Sequence, residues 1–175
     1  GNAFSFSNAD QTLLSRVHAP GDPLPANQYD SWTLSMWTNV EGPGQNDLRV
    51  FSEANAEDSN PLFNVGTQKS GCPCQVDLYC RQSGWATVGH IFSEQEPFKG
   101  EWHHIAFVQT NGERALYIDG QLDTLDIAPK EDGSWRVNNT TSGGILRASA
   151  SHWVTGLIDE VAIWNRALTP DELAQ

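Results

Sequence analysis

At 175 residues, with 10 Lys and Arg against 22 Asp and Glu, the chain carries a formal net charge of −12. That balance repels a duplex or an anionic membrane surface, so no nucleic acid partner is expected, and no apolar run reaches the roughly 18 residues that membrane insertion needs. Hydrophobic residues make up 38% and include seven Trp and seven Phe, enough to pack a core, which argues against disorder. Gly and Pro are spread along the chain between short apolar runs, a pattern of β-structure and not of a helical bundle.

Taken in order, the segments repeat with period two. Ala3 to Ser7 alternates aromatic and small polar residues, and Ser31 to Trp37 does so again, burying one of its two alternating sets. Leu48 to Ser52 and Pro61 to Val65 follow, separated by a polar loop over 53–60, and Gln75 to Arg81 alternates once more. The clearest hairpin joins His104–Gln109 to Arg114–Ile118 through Asn111-Gly112, the pair that a type I′ turn demands because both central residues need positive φ. Asp119-Gly120 makes a second tight turn, 130–144 reads as a long loop, and Gly144–Ser149 and Gly156–Trp164 are late strands. Thr169, Pro170, Asp171 and Glu172 begin one short C-terminal helix, with a cap, a proline at the first position and acids at the positive end. About ten strands without a long helix predict an all-β chain of two antiparallel sheets packed face to face, read as one domain over 1–175.

Three cysteines, Cys72, Cys74 and Cys80, fall within nine residues. One residue between Cys72 and Cys74 is tight for pairing, so a disulfide from either to Cys80 is expected, in an oxidising compartment and with one thiol left over. Three reduced thiols remain the alternative. A zinc site completed by His90 is disfavoured, because this spacing is unlike a zinc ribbon's.

Three blocks together then carry a family resemblance. Gly100-Glu101-Trp102-His103-His104-Ile105-Ala106, with Ala115-Leu116-Tyr117-Ile118-Asp119-Gly120 after it, resembles the "G-x-W-H-H-V-A … L-Y-V-D-G" block of laminin-G-like domains. Gly156 to Leu168 resembles their closing "G-x-I-D-E-V-x-I-Y-N-R-A-L", while Phe4-Ser5-Phe6 and Trp32 to Trp37 are similar to their opening strands. The resemblance implies a laminin-G-like or pentraxin-like jelly roll of the concanavalin A-like kind. It implies a secreted or extracytoplasmic module, cut from a larger chain whose other domains are its neighbours, and glycan binding. It also implies one structural calcium ion, with Asn8, Asp10 and Asp159 as ligands, although Gln11 and Thr12 stand where the family carries Asp and Tyr.

A sugar site needs an exposed aromatic beside polar groups. Trp37, Trp102 and Trp164 fall in framework motifs, and Trp32 and Trp153 in strand blocks, so all five are expected in the core. Trp85 and Trp135 remain, with Arg81, His90 and Arg136 nearby, either as stacking platforms for a ligand or as lids over the sandwich edge. Asp159 and Glu160, adjacent on one strand, are expected on opposite faces, as are His103 and His104. Arg166 and Asp159 are candidates for a charge pair. With no phosphate loop, nucleophile elbow or paired catalytic carboxylates, no enzyme is expected. The expected function is therefore non-catalytic binding of a neutral poly- or oligosaccharide, the alternative being a protein-binding adhesion module. The net negative charge disfavours sulfated or uronic-acid polymers.

Overall fold

The computed structural model describes residues 2–7, 18–20, 29–54, 61–81, 87–127, 142–144, 152 and 154–174. Twelve strands are found among them: β1 (Phe4–Phe6), β2 (His18–Pro20), β3 (Ser31–Glu41), β4 (Arg49–Ala54), β5 (Pro61–Thr67), β6 (Val76–Arg81), β7 (Thr87–Phe92), β8 (Lys99–Thr110), β9 (Glu113–Ile118), β10 (Gln121–Ile127), β11 (Ser142–Gly144) and β12 (Gly156–Trp164). They form two six-stranded sheets, β1-β12-β3-β8-β9-β10 (sheet I) and β2-β11-β4-β5-β6-β7 (sheet II). Every pairing is antiparallel. The expected all-β jelly-roll sandwich is thus the architecture of the chain. No helix of the described residues is long and apolar enough to cross a membrane.

The inner faces follow from alternation. On β3, Trp32, Leu34, Met36 and Val40 are buried, and on β8 so are Ile105 and Phe107. They meet Phe63, Val65, Val76 and Leu78 of sheet II in one core. Trp32 and Phe63 cross edge to face, with ring centroids 4.9 Å apart at 86°, and Phe63 and Phe107 lie 5.3 Å apart. Such geometry suits the ring quadrupoles and ties the two sheets together at their middle.

The β8–β9 hairpin turns at Asn111 and Gly112 with φ of 47° and 95°, the two positive values a type I′ turn requires. Asp119, at φ 50°, and Gly120, at 75°, repeat the device before β10. The only helix described, α1 (Pro170–Leu173), begins as its sequence predicts: Thr169 and Glu172 form a complete capping box.

Two expectations fail here. The segment 121–127, to which the sequence reading gives no strand, is the edge strand β10, and a register shift between Leu122 and Thr124 hides its period. Its Asp123 carboxylate accepts the N–H groups of Glu94 and Gln95 at 2.8 and 2.9 Å, fastening the β7–β8 connection to the edge. Ser142–Gly144, the end of the expected long loop, is β11, pairing with both β2 and β4. The rest of that loop lies outside the described residues.

Candidate functional site

The outer face of sheet I carries the most distinctive side chains described. Trp37 lies five positions from Trp32, an odd number, so alternation turns it away from the core. It is 38% exposed, where Trp32 is 1%. Its cross-strand neighbours are His104 on β8 and Asp159 on β12, and the next pair of β3 and β8 on the same face is Asn39 with Trp102, 41% exposed. The Trp37 and His104 rings lie 5.4 Å apart, tilted at 47°. Trp37 and Trp102 are therefore not core residues, contrary to expectation. Sequence reasoning took the framework motif for burial, although the odd spacing from Trp32 signalled the opposite face.

A bulge brings the acids to the same place. The register of β12 on β3 shifts between Asp159 and Ala162, and Glu160 adopts φ 49°. Strict alternation would send Asp159 and Glu160 to opposite faces, but the shift re-aims Glu160. Asp159, Glu160, Trp37 and Trp102 consequently line one open cavity of ≈ 270 Å³. It adjoins a second, of ≈ 310 Å³, that shares Trp37 and Glu160 and is walled by His104, Trp164 and the C-terminal segment. Positive φ at a non-glycine costs on the order of 1–3 kcal/mol, and such strain is often found where a side chain must be aimed.

The C-terminal segment forms the groove's far wall. Leu168 and Leu173 pack on Ala106 and Val108, with Tyr117, Trp164 and Ala167 at the border of this small second core. The Thr33 hydroxyl donates to the Arg166 carbonyl at 2.9 Å and accepts from the Leu168 N–H at 3.0 Å. Arg166 grips Glu172 with two hydrogen bonds of 2.9 and 2.7 Å. That guanidinium, helped by the Thr169 N–H, holds the Glu172 carboxyl at about 2. The expected Arg166–Asp159 pair is thus replaced by Arg166–Glu172, because the capping box already places Glu172 beside Arg166.

Electrostatics in the groove are those of acids around a neutral ring. Burial pushes the His104 pKa below its ordinary value, opposed by Asp119 and Glu160. Asp119 accepts from the His104 N–H at 2.9 Å and contacts His103 Nδ1 at 2.7 Å. The two histidines do part, as expected: only His104 reaches the groove.

The site residues read from the sequence are scattered or undescribed. Trp85, Trp135, Arg136, Asn8 and Asp10 lie outside the described residues, as does Trp153. Arg81 pairs with Thr87 at the end of β6, on the opposite sheet from the groove. His90 sits on β7 with its Nδ1 2.7 Å from the Asp77 carboxylate and its ring stacked on Phe92, centroids 5.8 Å apart. Burial raises the Asp77 pKa, and His90 counters it. Cys72 and Cys74 are both free thiols, so the structure shows no disulfide from either to Cys80, whose side chain lies outside the described residues. Asp159 belongs to no metal-ligating cluster among the described residues. Its Oδ1 accepts the Glu160 N–H at 2.9 Å, and its expected calcium partners, Asn8 and Asp10, lie outside the described residues.

A two-sheet antiparallel sandwich of this order, with a half-open aromatic and acidic outer face, defines a jelly-roll β-sandwich. The chain belongs to the laminin-G-like branch of the concanavalin A-like lectin/glucanases superfamily, whose family profile matches residues 15–174. It is 34% identical over 145 residues to human (Homo sapiens) adhesion G-protein coupled receptor D1, an alignment covering 76% of this chain and 16% of the receptor. The chain thus spans about a sixth of the length of that relative. Among solved structures, the binding domain of Paraclostridial mosquitocidal protein 1 superposes with TM-score 0.67 at 12% identity, covering 94% of this chain and 41% of that one. A Bacteroides ovatus protein provisionally described as carbohydrate-binding gives TM-score 0.67 at 14% identity, with 98% and 45% covered. The receptor-binding domain of botulinum neurotoxin type G gives 0.63 at 14%, with 93% and 39% covered. At such identities the structural likeness establishes the fold alone.

Proposed function

We propose that this chain is a non-catalytic glycan-binding module, acting outside the cytoplasm, that holds a neutral oligo- or polysaccharide across the outer face of sheet I. The observation that carries the reading is the pair of exposed indoles, Trp37 and Trp102, set beside Asp159 and Glu160 in one open groove. Pyranose rings present apolar C–H faces that stack on indole, and their hydroxyl rims donate to carboxylates. His104, held neutral by burial, adds a ring that can donate or accept. The acids, and the net charge of −12, select against anionic sugars. The provisional description of the Bacteroides ovatus neighbour is consistent with this ligand class.

Asp159 and Glu160 do not suit hydrolysis. Catalytic carboxylates flank a glycosidic bond from two sides, whereas these follow one another on a single strand and open to one side. A second reading, a protein-binding adhesion module, is favoured by the likeness to an adhesion receptor.

A glycan array of neutral and anionic oligosaccharides, followed by calorimetry on the best binder, tests the proposal. Trp37→Ala and Trp102→Ala should each weaken binding by about tenfold or more while the fold persists. If both keep wild-type affinity and Trp85→Ala or Trp135→Ala loses it, the site lies where the sequence first suggested. Failure to bind any glycan would favour the adhesion reading, and release of reducing sugar from a bound polysaccharide would overturn the non-catalytic one.

A further inference from the structure

A second cluster lies apart from the groove, at the turn that leads into β6. The Gln75 N–H closes this turn by donating to the Cys72 carbonyl at 3.0 Å. Phe98, fully buried, donates its N–H to the Cys74 carbonyl at 2.9 Å, and the Gly42 N–H donates to the Phe98 carbonyl at 2.8 Å. Gly42 is required there, since a Cβ would stand 2.2 Å from the Pro73 carbonyl oxygen. These contacts hold the Cys-Pro-Cys turn against the segment that carries Glu96. As a result Cys72 Sγ, Cys74 Sγ and a Glu96 carboxylate oxygen all lie within 4.8 Å of one another. The Cys74 N–H also donates to Cys72 Sγ at 3.4 Å, a bond that favours negative charge on that sulfur.

We propose that Cys72, Cys74 and Glu96 form a binding site for a thiophilic divalent cation of the zinc group, held by two thiolates and one carboxylate with a fourth position open to water. Tetrahedral zinc, with Zn–S near 2.3 Å, sets two thiolates about 3.8 Å apart, so the observed cluster needs only a small closure around the ion. Two soft sulfurs select against calcium and magnesium, and the hard carboxylate selects against copper(I), leaving zinc and its heavier congener cadmium. Two thiolates and a carboxylate carry one negative charge more than a divalent ion neutralises. Lys99, with Nζ 2.5 Å from Glu96, faces the site and offsets that excess. Each thiol gives up its proton as it ligates. The ion would clamp the turn before β6, in sheet II, to the segment before β8, in sheet I.

The test uses the whole protein, metal-free and kept reduced without oxygen. Cadmium titration followed by thiolate-to-metal charge-transfer absorbance, with zinc measured by competition against a chromophoric chelator, should show one ion per chain and a raised melting midpoint. Because Cys74 is buried, Cys74→Ser risks unfolding. Cys72 and Glu96 are more open and carry the test: Cys72→Ser should abolish the band and Glu96→Gln should weaken binding by about tenfold or more. Cys80→Ser should bind like the wild type. No band in the wild type, a band that survives Cys72→Ser, or one lost in Cys80→Ser would overturn the site. So would a Cys72–Cys74 disulfide in protein isolated without reductant. None of these outcomes involves Trp37 or Trp102, so the glycan reading stands or falls separately.

Discussion

The two halves of the outer face of sheet I differ in what lies over them. In one half, Ala106, Val108 and Tyr117 are covered by the strap from Arg166 through α1, which supplies Leu168 and Leu173. In the other half, on the same strands a few residues away, Trp37 and Trp102 stand exposed beside Asp159 and Glu160. The covered half is lined mainly by small and aliphatic side chains that gain only from leaving water. The open half combines large aromatic surface with carboxylates, which a chain of this length could have buried or omitted. One face thus serves stability at one end and recognition at the other, and the strap is the border between them.

Breaking the covered half should have the largest effect on stability. Leu168→Ala removes the centre of the second core and should cost about 2–3 kcal/mol in urea unfolding. Thr169→Ala opens the capping box and should cost about 1 kcal/mol in the same assay. In the open half the signs differ. Glu160→Gly relieves the left-handed conformation and should raise stability by roughly 0.5–1 kcal/mol while weakening glycan binding. A loss of stability there would show that the Glu160 side chain holds the bulge and does not merely tolerate it.

The pH dependence should divide the halves again. His104 binds its proton less readily folded than unfolded, so stability should fall as the pH drops through its ordinary value of 6.5, and His104→Gln should flatten that slope. Glu172 is depressed from 4.5 to about 2, so the stabilisation from its pair with Arg166 is present above 4.5 and lost as the pH falls toward 2. Since that pair is exposed, this is the smallest effect, seen best as the difference between the wild type and Glu172→Gln in acid melts.

The sandwich itself was legible wherever local chemistry dictates backbone shape. Asn111-Gly112, the cap at Thr169 and the alternation of β3 and β8 each follow from a steric or hydrogen-bonding rule acting within a few residues. What escaped was set by irregularities. A register shift concealed β10, and another turned Glu160 toward Asp159; in each case an extra residue breaks the period from which sequence is read. Trp37 belongs to a framework motif that suggests burial, while its odd spacing from Trp32 places it on the outer face. The reach of Glu96 to Cys72 and Cys74 crosses more than twenty residues, and no local pattern reports it.

The row Asp159–Trp37–His104 runs across three strands that are distant along the chain. No short peptide cut from this sequence contains the groove, and no intermediate lacking the β12–β3 or β3–β8 ladder can display it. Pairings of such long sequence separation are slow to form, since loop closure is unfavourable until the ladder rewards it. In a refolding experiment, recovery of ligand affinity should therefore mark the last pairing of sheet I, not the first collapse. The groove is, in effect, the chain's own indicator that its longest-range topology is complete.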